Sequence, residues 1–302
     1  MNNTKIYEFK KAPSVPARIL EQLLVLLDRK NSVKKKIETD TCTSTPAQPK
    51  KLKKLQNFVT SSFEGRPLWV VKPAGQLNQT ILYLHGGAFV NNMHTVHWSF
   101  VAQLHKDNPS ACIIVPDYPL SPEHKAIDLM RYLESLFHTY LKDVPTGELV
   151  LMGDSAGANL SLILTAWMRD QGFGKPKAVV PICPALNMDM QKDWDAYNQV
   201  PDVFLNAVSL QKATEVYRGN LPVDHGLVSP INLSFHDFPP IHLFMGTKEL
   251  LMLDSDRLWE RAQKENIPLN YYKFRGMMHV WPLFTFLREA KHVREIINDV
   301  LR

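Results

Sequence analysis

The sequence predicts an α/β protein: a mostly parallel β-sheet with helices on both of its faces. From residue 80 onward, short apolar runs alternate with amphipathic stretches of about ten to twenty residues. Such alternation is typical of parallel strands joined by crossover helices, whose strands are buried on both sides. The apolar content of 45% is that of a globular protein, and a chain of 302 residues can bury a large core.

The N-terminal part of the chain predicts one amphipathic helix and one hairpin. Residues 17–30 place Ile19, Leu20, Leu23, Leu24 and Leu27 on one side of a helix, which favours packing against the rest of the protein over a lipid surface. Residues 38–50 are rich in Thr, Pro and Gln and predict a loop. Strands at 58–63 and 68–71, joined through a Gly-Arg-Pro turn, predict an antiparallel hairpin.

The rest of the chain predicts six more strands, which makes eight in all. These strands are expected at 80–84, 111–115, 148–152, 178–183, 241–245 and 270–274, with helices at 95–107, 125–141, 155–171, 254–266 and 281–301. Residues 185–240 break this rhythm and are rich in aromatic side chains, so we expect an inserted cap over the sheet's carboxyl edge. The predicted organisation is a basic, helical segment over 1–57 and an α/β domain over 58–302 that contains this insertion.

The charge distribution favours a solvated N-terminal surface over a nucleic-acid contact. Residues 1–60 contain 13 Lys and Arg against 5 Asp and Glu, about +8, whereas the remaining residues contain 22 against 25, about −3. The basic clusters lack interleaved aromatic residues and any nucleic-acid motif, which indicates a solvated surface. The polar N-terminus does not resemble a signal peptide, and no apolar run is long enough for stable membrane insertion, so we expect a cytoplasmic protein.

A Gly-x-Ser-x-Gly pattern marks the most informative stretch of the chain. Gly153, Ser155 and Gly157 stand between a predicted apolar strand and a predicted helix. This context is typical of a nucleophilic serine held on a sharp strand-to-helix turn. The pattern alone is weak, because a glycine-rich turn capped by serine would have the same sequence. Further residues must therefore support a catalytic role for Ser155.

His279 is the favoured base for such a serine. A neutral imidazole can accept a serine hydroxyl proton near neutral pH, and His279 follows the last predicted strand. Other histidines after the serine are less suitable, because they lie within a predicted strand, within a helix or in the insertion: His242, His292, His225 and His236.

A carboxylate must also orient the imidazole, and two acids follow the strand at 241–245. Glu249 lies in the turn itself and is favoured. Asp254 is the alternative, although it also suits a helix start; Asp202 in the insertion ranks third.

Backbone amides are predicted to form an oxyanion hole. Attack on a carbonyl creates an oxyanion that fixed N–H donors must stabilise. Gly86 and Gly87 follow a strand that ends one crossover before Ser155, and their amides, with that of Ala156, are the predicted donors. A plain Gly-Gly turn is the structural alternative. The three cysteines, Cys42, Cys112 and Cys183, lack the spacing of metal ligands, so no metal is expected.

Four segments together resemble the hormone-sensitive-lipase-like group of α/β-hydrolase esterases. In order along the chain they are HGGAF at 85–89, DYPLSPEH at 117–124, GDSAGANL at 153–160 and GMMH at 276–279. The resemblance implies an α/β-hydrolase fold and carboxylic-ester hydrolysis through an acyl-serine intermediate, without metal or organic cofactor. It also implies a cap built from the N-terminal segment and an insertion. The sequence departs from the family at Pro119, at Ser121 and at Glu249, where an aspartate is usual.

The expected function is therefore hydrolysis of small esters with a short acyl chain or an acetyl group. Three alternatives remain open from the sequence. An amidase of the arylformamidase type would use the same three residues, and a hydrolase-fold protein without activity could bind a small molecule under its cap. A basic N-terminal segment could also bind nucleic acid or a membrane surface. Dimerisation through an edge strand is undetermined.

Overall fold

The computed structural model describes residues 4–39, 49–50, 52–55 and 57–302, and within them nine strands form one sheet. Cys42 and most of the predicted loop at 38–50 lie outside these residues. The strands are β1 (Lys5–Phe9), β2 (Phe58–Phe63), β3 (Arg66–Val71), β4 (Gln79–Leu84), β5 (Ala111–Pro116), β6 (Leu149–Asp154), β7 (Ala178–Ile182), β8 (Ile241–Gly246) and β9 (Leu269–Phe274).

The sheet is mostly parallel, as predicted. Its strand order is β1-β9-β8-β7-β6-β4-β5-β3-β2. β3 runs antiparallel to both of its neighbours, β2 and β5, and the other neighbouring pairs are parallel. The carboxyl ends of β4, β6, β8 and β9 therefore meet at one edge, where ligands bind in open α/β sheets.

The prediction of eight strands is wrong by one, because β1 was missed. β1 pairs in parallel with β9 at the edge of the sheet, so part of the segment 1–57 belongs to the sheet itself. Its sequence lacks an apolar run, and most of its side chains are exposed. Two aromatic pairs attach it to β9: the rings of Tyr7 and Tyr272 stack at 4.8 Å, and those of Phe9 and Phe274 at 4.2 Å.

Helices cover the sheet and fill the N-terminal segment and the insertion. They are α1 (Val15–Leu26), α2 (Ser32–Glu38), α3 (Thr95–Asp107), α4 (Ala126–Leu136), α5 (Ala156–Asp170), α6 (Trp194–Gln199), α7 (Ala207–Arg218), α8 (Met252–Glu265) and α9 (Arg288–Leu301). α9 begins later than predicted, because Trp281–Leu283 forms a separate 3₁₀ turn that contains Pro282. Among the described helices, none combines the length and the apolar content that crossing a bilayer requires.

The predicted apolar side of α1 is divided between the core and the surface. Ser14 caps the helix and its hydroxyl accepts the N–H of Ala17. Leu20 and Leu24 pack against the core, whereas Ile19, Leu23 and Leu27 are exposed. The helix therefore uses only one edge of its apolar surface for packing.

The centre of the sheet is the most deeply buried part of the protein. All six residues of β4 and all six of β6 are buried, and α5 is buried along most of its length. These apolar strands lie between other strands and under helices, which explains their continuous apolar sequences. Ser155, between β6 and α5, is consequently held by rigid elements on both sides.

The N-terminal segment and the insertion contact each other above the carboxyl edge. α2 packs against α7. The side-chain amide of Asn206 donates to the carbonyl of Lys30 at 2.7 Å, and Lys212 forms an ion pair with Glu38. Two segments that are distant in sequence thus lie together beside the loops that follow β4 and β6.

Candidate active site

Ser155 occupies a strained turn between β6 and α5. Its backbone has φ 50° and ψ −114°, a conformation that costs a non-glycine residue about 1–3 kcal/mol. The N–H of Ser155 donates to the carbonyl of Ile182 at 2.8 Å, which ties the turn to β7. Because β6 and α5 are buried at either end, the surrounding structure maintains this strain and projects the hydroxyl from the carboxyl edge of the sheet.

The two glycines of the motif allow β4, the turn and α5 to pack closely. A Cβ atom at Gly157 would lie 2.0 Å from the carbonyl oxygen of Leu84, and one at Gly153 would lie 2.4 Å from the carbonyl carbon of Gly157. Both distances are far below van der Waals contact with backbone atoms that cannot move independently. Glycine is therefore required at Gly153 and Gly157 for steric reasons, and this requirement is separate from the strained conformation of Ser155.

Gly157→Ala is expected to lower the free energy of unfolding by about 2–3 kcal/mol, because the new methyl group overpacks a rigid junction. Urea denaturation followed by tryptophan fluorescence measures this change. Gly147→Ala is the matched control, since a Cβ at Gly147 meets no atom within 4 Å. A Gly157→Ala protein as stable as the Gly147→Ala protein would contradict the steric explanation.

The structure brings Ser155, His279 and Glu249 together in one chain of hydrogen bonds. The Nε2 of His279 lies 3.0 Å from the Oγ of Ser155, and its Nδ1 lies 2.6 Å from Oε2 of Glu249. Glu249 is fully buried, and His279 is 2% and Ser155 8% exposed. Because the carboxylate accepts from Nδ1, the neutral imidazole carries its proton there and presents an unprotonated Nε2 to the serine hydroxyl.

Glu249 is fixed by the loop that follows β8. Its Oε1 accepts the N–H of Gly246 at 2.9 Å, which leaves Oε2 for His279. The same loop is tied to the loop after β9, since the N–H of Lys248 donates to the carbonyl of Met277 at 3.0 Å. The acid and the base therefore come from two loops that are bonded to each other.

The other two candidate acids bond elsewhere. Asp254 is buried in α8, where its carboxylate accepts from the Tyr197 hydroxyl at 2.8 and 2.9 Å and from Arg257 at 3.0 Å. Burial raises the pKa of Asp254 to about 6, although these partners oppose the shift. Asp202 accepts the N–H of Leu250 at 3.0 Å, so it supports the loop that contains Glu249.

The environment of His279 raises its pKa above the ordinary value. Burial of the imidazole lowers the pKa, but the Glu249 carboxylate raises it through both its charge and its hydrogen bond, and the charge of Asp202 adds to the effect. The raised pKa makes Nε2 a stronger proton acceptor once the ring is neutral. It also means that protonation of His279 begins at a higher pH than for a free histidine.

The predicted amide donors need one correction, at Gly86. The N–H of Gly86 donates to Oδ1 of Asp154 at 3.0 Å, so it is already used within the protein. The N–H groups of Gly87, Ala88 and Ala156 donate to no described group, and Gly87 and Ala88 line the cavity beside Ser155. Gly87 adopts φ 134°, a backbone conformation that suits glycine.

Side chains behind the loop after β4 hold it in place. His85 is buried, its Nδ1 donates to the carbonyl of Gly86 at 2.7 Å, and its ring stacks on Tyr118 at 4.3 Å. Burial lowers the pKa of His85 to about 3, so the ring is neutral. Asp154 accepts from the Tyr83 hydroxyl as well as from Gly86, which joins this loop to the residue before the nucleophile.

Cys183 completes a group of potential metal ligands with Glu249 and His279, whose ligand atoms lie within 4.8 Å of one another. Glu249 and His279 already bond each other at 2.6 Å. Burial, and then the charge of Glu249, raises the pKa of the Cys183 thiol well above its usual range, so it offers no thiolate. This donor set suits a hydrogen-bonded serine, histidine and acid better than a metal ion.

A small cavity of about 70 Å³ opens beside Ser155 and His279. Its walls include residues of the sheet and its loops, and also residues of the N-terminal segment and the insertion. The latter are Arg29, Ser32, Val33, Phe204 and Leu205. A larger groove of about 500 Å³ lies between β1 and α9, and none of the predicted site residues line it.

Sequence reasoning missed three residues that line this cavity, namely His94, His97 and Arg29. Ala88 belongs to the predicted HGGA segment, but the motif did not reveal which of its amides would be used within the protein. The spacing of three between His94 and His97 at the start of a helix is a signal that could have identified them. Arg29 reaches the cavity from a segment without any transferable motif, so no sequence signal pointed to it.

This fold and this arrangement of serine, histidine and acid define a serine hydrolase of the α/β class. A family model described as "alpha/beta hydrolase fold" matches residues 81–283, more than half of the chain. The chain therefore belongs to the α/β-hydrolase family.

Individual relatives agree with this assignment. The chain is similar to an esterase of Mycobacterium tuberculosis, with 35% identity over 77% of this chain and 80% of the relative, and to an acetyl-hydrolase of Streptomyces hygroscopicus, with 27% identity over 77% and 78%. A crystal structure of a hormone-sensitive lipase from a metagenome library superposes with a TM-score of 0.76 at 21% identity, covering 96% of this chain and 99% of that one. The predicted resemblance to α/β-hydrolase esterases is confirmed.

Proposed function

We propose that this protein hydrolyses carboxylic esters of small molecules and that Ser155 is the nucleophile. One observation carries the proposal: the unbroken hydrogen-bond chain from the Oγ of Ser155 through His279 to Glu249, at 3.0 and 2.6 Å. The relatives described as esterases and as an acetyl-hydrolase support the choice of an ester bond.

In the first half of the reaction, the Oγ of Ser155 attacks the ester carbonyl while its proton passes to Nε2 of His279. The carboxylate of Glu249 stabilises the resulting imidazolium through Nδ1–H. The tetrahedral intermediate then collapses, the bond to the alcohol oxygen breaks, and His279 returns the proton to the leaving alcohol. An acyl-serine remains.

In the second half, His279 accepts a proton from water, and the hydroxide attacks the acyl-serine carbonyl. The second tetrahedral intermediate releases the carboxylic acid, and the proton on Nε2 returns to Ser155. The amides of Gly87, Ala88 and Ala156 are the proposed oxyanion donors in both halves, since none of them is used by the described protein groups. Each such donor contributes about 3–4 kcal/mol to transition-state stabilisation in related chemistry.

The proposed cap consists of the N-terminal segment from α1 to α2 and the insertion at about 185–240. Its support is that Arg29, Val33 and Phe204 line the cavity beside Ser155 and that α2 packs against α7. A covered cavity of about 70 Å³ favours esters with a short acyl chain or an acetyl group. A cytoplasmic location stays a prediction from the sequence, and the formation of a homodimer stays undetermined.

Turnover of 4-nitrophenyl acetate, together with covalent labelling by a fluorophosphonate, tests the proposal. We expect measurable hydrolysis and a single adduct on the peptide that contains Ser155, identified by mass spectrometry. Labelling should stop when the protein is denatured beforehand, because activation of the serine depends on His279. A folded protein that neither hydrolyses the ester nor forms the adduct would refute the function and would favour the non-catalytic small-molecule binder instead.

Matched substrates separate an esterase from an amidase. 4-Nitrophenyl acetate and 4-nitroacetanilide differ only in the atom that leaves, so the ratio of their kcat/KM values reports the bond preference. We expect the ester to be preferred by several orders of magnitude. A higher kcat/KM for the anilide would identify the protein as an amidase with the same three residues.

A further inference from the structure

Arg29 places a positive charge in the wall of the catalytic cavity. It lies on the 3₁₀ turn Arg29–Asn31 between α1 and α2 and lines the same cavity as Ser155 and His279. Its guanidinium lies 5.4 Å from the centre of the Phe204 ring, and that ring lies 5.6 Å from the imidazole of His279. Arg29 and His279 therefore both contact the Phe204 ring and both line this cavity.

The guanidinium has no anionic partner among the described residues. It forms no ion pair and no hydrogen bond with any of their carboxylates. Asp28, its neighbour in sequence, bonds Lys35 and Asn31 instead, and Asp154 in the cavity bonds Tyr83 and Gly86. Arg29 is half-buried, and burial lowers its pKa, yet an arginine remains charged at neutral pH.

His94 adds an unused donor to the same cavity. Its side chain accepts the backbone N–H of His97, and its Nε2 is buried without a partner among the described residues. The accepting nitrogen is therefore Nδ1, so in the neutral ring Nε2 carries the proton and can donate it. Burial, followed by the charges of His97 and Arg29, lowers the pKa of His94 to about 4, which keeps the ring neutral at pH 7.

We propose that Arg29 and His94 form a subsite for a carboxylate on the ester substrate. The inference rests on the proposed ester hydrolysis and specifies its substrate class. An unpaired, half-buried guanidinium is destabilising until an anion joins it, and a carboxylate matches its planar pair of N–H donors. The second carboxylate oxygen would accept from Nε2 of His94. The small volume of the cavity favours a compact monoanion.

Two pairs of matched esters test whether the subsite binds a carboxylate on the acyl part or on the alcohol part of the substrate. Monomethyl glutarate is compared with methyl pentanoate by proton release, and 4-acetoxybenzoate with 4-methylphenyl acetate by absorbance. The measured quantity is the kcat/KM of the charged ester divided by that of its neutral partner. For one of the pairs, we expect this ratio to be about 10- to 100-fold lower in Arg29→Gln than in wild type, the usual effect of losing a hydrogen bond to a charged group. Arg29→Lys should restore part of the ratio, since it keeps the charge without the planar fork.

Lys30→Gln is the matched control, because Lys30 carries the same charge one residue further on, is exposed and does not line the cavity. It should retain the wild-type ratio. Equal ratios in wild type and Arg29→Gln for both pairs, with the neutral esters still hydrolysed, would overturn the subsite and leave the esterase function intact. Equal losses in Lys30→Gln and Arg29→Gln would also overturn it, by showing a general effect of surface charge. If the wild type hydrolyses none of the four esters, both the proposed function and the subsite fail.

Discussion

Replacing Ser155 by alanine is expected to lower kcat for 4-nitrophenyl acetate by about 10⁵- to 10⁶-fold, the loss seen when a catalytic serine is removed from this kind of site. The proton transfer from Oγ to His279 and the acyl-serine both disappear with the hydroxyl. What remains is the stabilisation from the free amides and from binding. Initial rates at saturating ester, with the purified variant at high concentration, measure the residual activity.

The variant must stay folded for this result to bear on mechanism. Alanine has the same backbone cost as serine at φ 50°, and among the described residues the Ser155 hydroxyl bonds His279 alone. Ser155→Ala should therefore unfold at nearly the same urea concentration as wild type. Ser161→Ala is the matched control: this buried serine of α5 bonds the carbonyl of Gly157 at 2.9 Å and does not line the cavity. It should keep the activity within about twofold. Turnover by Ser155→Ala at a tenth of the wild-type rate would remove Ser155 from the mechanism.

The parts of the fold that could be predicted are those determined by local sequence and burial. β4 and β6 are buried throughout and have continuous apolar sequences, so their positions were predictable to within one or two residues. The turn at Ser155 was predictable because the strand, the glycines and the helix are adjacent in sequence. β1 was not predicted, since an exposed edge strand is stabilised by its partner β9 and needs no apolar run of its own.

The parts of the site that could not be predicted depend on contacts between distant segments. The sequence offered Glu249 and Asp254 as acids, and only the packing of α8 directs Asp254 to Tyr197 while the loop after β8 directs Glu249 to His279. Likewise, Gly86 and Ala88 are equivalent in an extended chain. A hydrogen bond from Gly86 to Asp154 uses one amide and leaves the other free.

Replacing Glu249 is the second change with a large expected effect on kcat. Glu249→Gln is expected to lower kcat by about 10⁴-fold, as for other serine hydrolases whose acid becomes an amide. An amide nitrogen can donate to Nδ1, which would place the imidazole proton on Nε2, where it cannot accept the Ser155 proton. The neutral side chain also stabilises an imidazolium less than a carboxylate does. Hydrolysis assays with the variant at high concentration, stopped at set times, measure the residual rate.

The pH profile of the same variant separates this role from a structural one. The base must be neutral, so kcat/KM falls as pH drops through the pKa of His279, which Glu249 raises above its ordinary value. In Glu249→Gln the carboxylate charge that raises the pKa of His279 is gone, while burial still lowers this pKa. The fall in kcat/KM on the acidic side of the profile (the acid limb) should therefore move to lower pH. Asp254→Asn is the control, because Asp254 itself has a pKa of about 6 but bonds Tyr197 and Arg257 instead of His279. It should keep the wild-type acid limb; a shift in Asp254→Asn and none in Glu249→Gln would assign the acid to Asp254.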